Sequence, residues 1–428
     1  MKTCAKIFLI VIGLQMPCVV MAQVDVATNE LAGAKLVQAN NAFAVDLYTR
    51  LAKEPGNFVF SPFSINTALT MAYAGARGNT AAQMARVLHD SNTSRQLQAE
   101  FGALLDHLNG VNLPGTEFLV ANSLWAQRGY PFLKPYQQLL QDHYKTSMMQ
   151  IDLTGWPGLP DEKIMAAARG KINDWAASHT GGKIKELLPG EFPAPDTRLI
   201  LLDAVYFKGL WETQFERTNT TKSLFQISPG KSVTVPTMHA HGDFLVFKFP
   251  DEVHALQLPY LSNRLSMVIL LPQNSDGLPE LEQSFEVPLS VRMNAGRLEK
   301  IMISRLDEVI QLSFKVPLDV ALPRFEGTSK FDLQKPLVSM GMTNAFDESA
   351  DFSGVSTEKP FYIGAALHQA TISVDEQGTE AAASASVEWD AKGSPRSFIV
   401  DHPFLYYIRD NQTGAILFMG RVVDPSIK

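Results

Sequence analysis

The segment that most constrains this chain lies near its C-terminal end, between two apolar stretches. Residues 377–397 separate the strand predicted at Ala370–Val374 from the apolar stretch Phe398–Ile408, and they carry no apolar pattern of their own. About twenty such residues are rare inside a compact domain unless they have a function. From Thr379 to Lys392 the segment also lacks Gly and Pro, the residues that most often interrupt strands and helices. The fold must therefore accommodate a long segment that is still able to become a strand.

The same segment has two chemically different faces when it is read as a strand. With the period of two that strands follow, small and mostly apolar side chains share one face, and polar side chains predominate on the other. The first face carries Thr379, Ala381, Ala383, Ala385 and Val387, and the second carries Glu380, Ala382, Ser384, Ser386 and Glu388. The first face suits a packed core and the second suits water. On composition alone, a flexible exposed tether, which alanine and serine also suit, is the favoured interpretation.

The rest of the chain has the pattern of one large α+β domain. An amphipathic helix is predicted at Asn40–Lys53, followed by a short strand at Phe58–Phe60 and a buried helix that begins at Ser61-Pro62. Apolar runs of strand length follow at Leu199–Phe207 and Leu265–Leu271. No linker, charge block or internal repeat divides the 428 residues, so the sequence offers no domain boundary.

The N-terminus is typical of a secretory signal peptide at residues 1–22. Basic residues precede an apolar run at Ile7–Leu14, and small or apolar residues lead up to Ala22. We expect cleavage between Ala22 and Gln23, which leaves residues 23–428 as a single domain. The signal predicts export, either to a periplasm or out of the cell.

The cysteines fit this interpretation. The only two cysteines, Cys4 and Cys18, lie inside the predicted signal, so the mature chain would have no disulfide and would depend on its core. A lipid anchor on Cys18 is not favoured, because residues 15–17 lack the leucine and small residues of a lipoprotein signal. No later apolar run approaches the roughly 20 residues that a membrane span needs.

Charge and motifs argue against several classes of function. A net charge of −7 leaves no basic surplus for a nucleic-acid site. The sequence has no nucleophile elbow, phosphate-binding loop or dinucleotide glycine pattern, so we expect neither an enzyme nor a cofactor. His239 and His241 have the spacing of metal ligands on one side of a strand, but no cysteine or third ligand is near them in sequence. We therefore expect no metal, and a structural or solvent-facing role for both histidines.

Over essentially all of its predicted mature length the chain resembles the serpin family. The motifs that carry the resemblance are spread from end to end: Asn57–Ile65, Lys171–Trp175, Gly182–Lys185, Val205–Trp211, Val374–Ala383, Phe398–Phe404 and Gly414–Arg421. The resemblance implies one α+β domain with three β-sheets, eight or nine helices and an exposed reactive-centre loop at about residues 377–397. It also implies a monomer. Activation by heparin is not expected, because Leu97–Leu108 lacks a basic patch.

The function that the resemblance implies is irreversible inhibition of a serine protease, not enzymatic activity. The protease cuts the loop and forms an acyl-enzyme, the loop inserts as a new strand of the large sheet, and the protease is trapped in a covalent 1:1 complex. A serpin that is cut without trapping, and that serves as a carrier, chaperone or scaffold, is the alternative. The small, unbroken run Thr379–Val387 argues against that alternative. A further alternative is a secreted adhesin or structural protein, but the sequence has no internal repeats that would support it.

The same resemblance assigns the parts of the loop. The inhibitory hinge comprises Gly378, Thr379, Glu380, Ala381, Ala382 and Ala383. Serpin loops of the common length place the scissile residue fourteen after the hinge glycine and eleven before the proline of the Phe398–Phe404 motif, and both counts give the bond Lys392–Gly393. A lysine there fits the acidic specificity pocket of a trypsin-like protease. Trp389 and Arg396 are alternative cut sites.

A first group of residues matches the family's shutter, the polar cluster beneath the large sheet. It comprises Ser61, Ser64 and His368, with Asp203 where an asparagine is usual in the family. We expect Asp203 to pair with His368 and to make strand insertion sensitive to pH. The alternative is a helix cap beside an ordinary core histidine, and both interpretations can hold together.

A second group matches the breach, where the loop first inserts. It comprises Trp211, Arg324 and Glu376, and the resemblance implies an Arg324–Glu376 salt bridge. An ordinary surface ion pair, which contributes little when exposed, is the alternative.

Overall fold

The described part of the chain contains eight helices and sixteen strands. The computed structural model describes residues 18–90, 94–109, 115–153, 155–156, 159–160, 162–188, 197–248, 253–286, 315–376 and 397–427. The helices are α1 Cys18–Leu51, α2 Pro62–Gly75, α3 Gly78–Val87, α4 Ser94–Asn109, α5 Lys134–Tyr144, α6 Glu162–His179, α7 Leu278–Glu286 and α8 Gln334–Ser339. The strands are β1 Phe58–Phe60, β2 Thr116–Gln127, β3 Met148–Ile151, β4 Gly155–Trp156, β5 Leu159–Pro160, β6 Leu199–Gly209, β7 Thr221–Ser228, β8 Lys231–Lys248, β9 Val253–Pro259, β10 Leu265–Pro272, β11 Lys315–Pro323, β12 Phe325–Asp332, β13 Ile363–Val374, β14 Ser397–Ile399, β15 Phe404–Asp410 and β16 Ile416–Val422.

The two N-terminal helices differ in how closely they follow their prediction. Helix α2 begins where the sequence predicts, with the Ser61 side chain accepting a hydrogen bond from the Ser64 N–H at 3.2 Å and with proline in the first turn. All 14 of its residues are buried, as its almost wholly apolar sequence requires. Helix α1 begins at Cys18, well before the predicted Asn40.

The strands form three sheets in the described residues. One has nine strands in the order β1-β16-β15-β10-β9-β8-β11-β14, with β7 also paired to β8. A second has five strands in the order β12-β13-β6-β2-β3, and β4 and β5 form a small third sheet. Helix α2 lies in the large core between the two main sheets, because it contacts both β6 and β16.

The centre of the five-stranded sheet is a parallel pair. Strand β13 pairs directly with β6, and the register runs from Ala366 opposite Leu201 to Ile372 opposite Phe207. Their other neighbours, β12 and β2, are antiparallel to them. We call the boundary between β6 and β13 the seam.

Side chains on the two strands of the seam alternate between two cores. On β6, Leu201, Val205 and Phe207 pack into the large core, whereas Ile200, Leu202 and Ala204 pack into a smaller core with residues of α6. Strand β13 alternates in the same way. Because both faces are covered, the strands show the near-continuous apolar sequence that was predicted for β6.

The chain leaves the five-stranded sheet and returns in the nine-stranded sheet. Strand β13 ends at Val374, and β14 begins at Ser397 and pairs in parallel with β11. The predicted hinge and the Lys392–Gly393 bond lie between these points, outside the described residues. The apolar stretch after them forms two strands, β14 and β15, and Pro403, which cannot donate a ladder hydrogen bond, lies between them.

Candidate functional site

The structure brings the four residues of the predicted shutter into one buried cluster at the seam. Ser61 and Ser64 stand at the start of α2, Asp203 is on β6 and His368 is on β13. None of the four is more than 2% exposed. Asp203 and His368 are register partners across the seam. We call Ser61, Ser64, Asp203 and His368 the shutter cluster.

Hydrogen bonds fix the tautomer of His368. The Ser61 backbone N–H donates to Nε2 at 3.0 Å, and Nδ1 lies 3.0 Å from Asp203 Oδ2. Because Nε2 accepts a hydrogen bond, the ring proton is on Nδ1, where it is donated to the carboxylate. The Phe331 ring stacks on the imidazole with centroids 6.3 Å apart. This geometry is that of a neutral imidazole.

Asp203 is held from a second direction as well. The Ser64 hydroxyl donates to Asp203 Oδ1 at 2.5 Å, and the same Ser64 oxygen lies 3.0 Å from Oδ1 of Asn122. Asn122 is on β2 directly opposite Asp203, and sequence reasoning missed it. The signal that identifies it is a single amide side chain in the apolar run of β2.

Ser61 connects the cluster to the other main sheet. Its hydroxyl donates to the Leu417 carbonyl on β16 at 2.6 Å while it also caps α2. The cluster therefore joins both strands of the seam, the start of α2 and the nine-stranded sheet. Separation of β6 from β13 requires the Asp203–His368 hydrogen bond to break.

The predicted breach residues meet at the end of β13. The Arg324 Nε donates to the Glu376 carboxylate at 2.6 Å, the Thr220 hydroxyl donates to the same oxygen, and the two charged groups form a salt bridge. The Trp211 indole N–H donates to the Asp375 carbonyl at 3.0 Å. Sequence reasoning missed Thr220, because nothing in its local sequence indicates a contact 156 positions away.

The Glu376 carboxylate is charged in spite of its burial. Burial alone raises the pKa of this carboxyl, but hydrogen bonds from Arg324 and Thr220 outweigh that effect and hold the pKa below the usual glutamate value. The Phe215 N–H also donates to the Glu376 carbonyl at 3.3 Å. The last two described residues before the loop, Asp375 and Glu376, are thus fixed by both backbone and side-chain bonds.

The two strand histidines are polar surface groups. His241 Nδ1 lies 2.6 Å from Asp319 Oδ1, and His239 Nε2 lies 3.0 Å from the Thr221 hydroxyl oxygen. In the part of the chain that the structure describes, no three His, Cys, Asp or Glu side chains are grouped as a metal ion requires. None of the described helices is both long and apolar enough to cross a bilayer. The backbone of α1 runs through the Ala22–Gln23 bond, and signal cleavage there stays a prediction.

Comparisons with known proteins agree on one family. The serpin family profile, described as serpin (serine protease inhibitor), matches residues 38–425. An uncharacterized serpin-like protein of Thermococcus kodakarensis is 38% identical over 397 residues, which cover 91% of this chain and 86% of that protein. The leukocyte elastase inhibitor of Bos taurus is 35% identical over 400 residues, covering 91% of this chain and 100% of the relative.

A solved structure shares the fold. Uncleaved ovalbumin superposes with a TM-score of 0.77 at 28% sequence identity, and the match covers 91% of this chain and 100% of ovalbumin. The profile and the relatives extend over nearly the whole described chain, from α1 to the residues after β16. The chain therefore belongs to the serpin family, whose members are described as serine protease inhibitors.

Proposed function

We propose that this protein is an exported, irreversible inhibitor of trypsin-like serine proteases that acts by acyl-enzyme trapping and loop insertion. The observation that carries the proposal is the parallel pairing of β6 and β13 at the seam. The predicted loop follows directly after β13 in the chain. The name of the bovine relative, leukocyte elastase inhibitor, supports the inhibitor class.

The direction of the strands favours insertion at the seam. A segment that follows β13 and turns back runs antiparallel to β13, and therefore antiparallel to β6 as well. Its insertion replaces one parallel ladder by two antiparallel ladders, which are slightly more stable per residue. The order β12, β13, inserted strand, β6, β2 is then antiparallel throughout.

The energy available from insertion is large compared with the stability of a domain. Strand β13 has 12 residues, so an inserted partner of similar length has room for about ten additional ladder hydrogen bonds. At roughly 1 kcal/mol net for each bond, these contribute on the order of 10 kcal/mol before the entropy of ordering the loop is subtracted. Cutting the loop frees it from its attachment to β14, so cleavage is the event that releases this energy.

The loop sequence supports rapid insertion. Thr379–Lys392 contains no Gly or Pro to interrupt a ladder, and one face of Thr379–Val387 consists of small side chains. Speed matters because insertion competes with hydrolysis of the acyl-enzyme. Lys392 supplies the long cation that a trypsin-like pocket binds through a buried carboxylate.

The test is to mix the protein with trypsin and to separate the products on a denaturing gel with intact-mass analysis. The proposal predicts a covalent product whose mass equals trypsin plus the inhibitor, less the peptide Gly393–Lys428. Lys392→Ala is the matched variant and is expected to lose this product. Clean cleavage with fully active trypsin, at every ratio of inhibitor to protease, would overturn trapping by trypsin and favour the carrier or scaffold alternative.

Export has its own test. N-terminal sequencing of the protein secreted by its host is expected to begin at Gln23. An intact N-terminus on the functional protein would contradict export through this signal.

A further inference from the structure

The short segment that follows β14 is tied to two other strands by its backbone. The Val400 N–H donates to the Ala321 carbonyl of β11 at 2.9 Å. The Asp401 carbonyl accepts a hydrogen bond from the Gln226 N–H of β7 at 2.7 Å. The segment thereby closes the gap between β14 and β15. We call Val400–His402 the strap.

The strap ends in a histidine whose two ring nitrogens both face hydrogen-bond acceptors. Nε2 of His402 lies 2.7 Å from the carbonyl oxygen of Pro272, at the end of β10. Nδ1 lies 2.7 Å from a carboxylate oxygen of Asp401, which is 56% exposed. A carbonyl has no proton to give, and an exposed carboxylate is ionised at neutral pH. Both bonds therefore take their proton from the ring, and the geometry is that of an imidazolium.

The shutter histidine has the opposite surroundings. Nε2 of His368 accepts the Ser61 N–H, so its ring satisfies both partners with one proton. The described residues offer the nitrogens of His402 acceptors only. The His402 side chain is 10% exposed, which leaves little access for water. Two buried histidines of this chain thus hold different numbers of protons.

The charged groups around the strap differ in how closely they approach the ring. Asp401 is in direct contact with His402, and β10 contributes a carbonyl and no titratable side chain. Asp319 of β11 is engaged with His241. The other titratable groups on the neighbouring strands are Lys222 of β7, His254 of β9 and Lys315 of β11. Of all these groups, Asp401 is the one whose charge lies against the ring.

Strand β14 depends on the strap because it is weakly held by itself. It has three residues, lies at the end of the sheet, and pairs with β11 alone among the described strands. Ser397 and Ile399 are exposed, and Phe398 between them is buried. The predicted reactive loop leads into β14, so release of β14 would free the far end of the loop.

We infer that His402 is a positioning residue, whose imidazolium holds the strap against β10 and thereby keeps β14, the far attachment of the reactive loop, in place. This inference rests on the proposed function. As rising pH removes one ring proton, one of the two acceptors loses its donor, and the strap loses a hydrogen bond that involves a charged group. A loop whose far end is free can enter the seam without being cut, and such a molecule no longer inhibits.

The test stores the protein without protease at pH 6.5 and at pH 9, and then measures trypsin trapping by the samples in one common buffer. Wild type is expected to lose trapping about tenfold faster at pH 9, the factor that one hydrogen bond to a charged group supplies. His402→Gln has no positive charge and is expected to lose trapping fast at both pH values. His402→Arg stays charged and keeps several N–H donors, so it is expected to lose trapping slowly at both.

A matched control and a mass measurement accompany the storage experiment. His89→Gln changes a histidine that forms an exposed pair with Asp46 of α1, and it is expected to behave as wild type. The intact mass of every stored sample is expected to stay unchanged, because the loop enters the seam uncut. Cleaved loop in proportion to the lost trapping would overturn the inference.

The protons on His402 are measured directly by nitrogen NMR of the imidazole rings. The method distinguishes a protonated from an unprotonated ring nitrogen, and the His402 signals are those that disappear in His402→Arg. Both nitrogens are expected to be protonated at pH 7. A neutral ring at that pH would overturn the inference, even if His402→Gln fails to fold.

The storage experiment separates this inference from the proposed function. Equal rates of loss for wild type at the two pH values would overturn the inference and leave the proposed function intact. Equally fast loss at pH 9 by wild type and His402→Arg would do the same, because another group would then control the loss. Failure of fresh wild-type protein to trap trypsin would overturn the proposed function, and this inference with it.

Discussion

Nδ1 of His368 lies 3.0 Å from a carboxylate oxygen of Asp203, and the two residues are register partners on β13 and β6. The bond crosses the seam in the direction in which the strands would separate for the proposed insertion. Both side chains are buried, and breaking a buried hydrogen bond leaves its donor and acceptor unsatisfied until other partners replace it. The pair is therefore expected to add to the energy barrier for opening the seam.

Replacing Asp203 by Asn is expected to weaken the hydrogen bonds that close the seam. The His368 Nδ1–H donates to a carboxylate, and a hydrogen bond to a charged group contributes more than one to a neutral group. An amide oxygen can accept the same bond, but without the charge. The free energy of unfolding is therefore expected to fall by about 1 kcal/mol at pH 8, measured by urea unfolding, and the same measurement at pH 5.5 shows whether the effect depends on pH.

The same variant tests whether this pair controls inhibition. Trypsin trapping by Asp203→Asn is compared with wild type at each pH, so that the protease's own pH dependence cancels. Asp46→Asn, in the exposed pair with His89, is the matched control. Identical pH profiles for wild type and Asp203→Asn would show that the pair does not tune insertion.

Glu376→Gln is expected to loosen the breach at neutral pH. Burial raises the pKa of this carboxyl, but the hydrogen bonds from Arg324 and Thr220 lower it by more, so the charged form stabilises the fold. A lowered pKa contributes stability above the ordinary glutamate value of about 4.3, and this contribution is lost as the pH falls through the folded-state value. The variant is thus expected to be less stable by about 1 to 2 kcal/mol at pH 7.

The pH series supplies the check on Glu376. The stability difference between wild type and Glu376→Gln is expected to shrink below about pH 4, where the wild-type carboxyl also becomes protonated. Glu358→Gln changes an exposed carboxyl and serves as the control. A difference that stays constant from pH 7 to pH 3.5 would mean that the charge of Glu376 contributes nothing.

The parts of the fold that local rules determine were predictable from the sequence. Helix α2 has its cap, its proline and its apolar surface within one short segment, and the structure confirms all three. The early start of α1 was missed, because adding residues to a helix that has already nucleated costs little, and because Leu36 and Val37 before Asn40 are also buried in the core.

In the candidate site, too, residues within recognisable motifs were predicted, and residues defined by long-range contacts were not. Residues of the shutter and breach were identified by resemblance to family motifs, and the structure places each group together. Asn122 and Thr220 were missed because their contacts depend on strand register and on positions far apart in sequence. Contacts of this kind follow from the three-dimensional arrangement: the lone amide in the apolar run of β2 indicates that Asn122 needs a partner, but not which residue that partner is.

Ala383→Pro is expected to convert the inhibitor into a substrate. Proline has no N–H to donate and is excluded from central strands, so insertion would stop in the hinge. Trypsin would still cut at Lys392, but the acyl-enzyme would be hydrolysed first. On a denaturing gel, the covalent product is expected to be absent and cleaved protein is expected in its place. The trypsin in the mixture is expected to stay active.

A thermal melt of the cleaved protein shows whether its loop has inserted. Cleaved wild type is expected to melt at a much higher temperature than the uncut protein, whereas cleaved Ala383→Pro is expected to show no such rise. Ala383→Ser keeps the N–H and the small size, so it is expected to behave as wild type. A covalent product from Ala383→Pro in wild-type yield would count against insertion through the hinge.

Gln369→Leu is expected to stabilise the uncleaved protein. Gln369 on β13 is 5% exposed, and its side-chain oxygen finds no hydrogen-bond partner among the described residues. Its neighbours on the same face, Ala365 and Leu367, belong to the apolar core that packs against α6. Removing an unsatisfied buried polar group is expected to raise the free energy of unfolding by about 1 to 2 kcal/mol.

The same change is expected to make the inhibitor less efficient. A more stable closed seam opens more slowly, so more acyl-enzyme is hydrolysed before the loop inserts, and more inhibitor is consumed for each trypsin inactivated. Urea unfolding and titration of trypsin activity measure the two effects, with the exposed Gln137→Leu on α5 as the control. An unchanged or lower stability would show that the Gln369 oxygen carries no energetic penalty in the closed sheet.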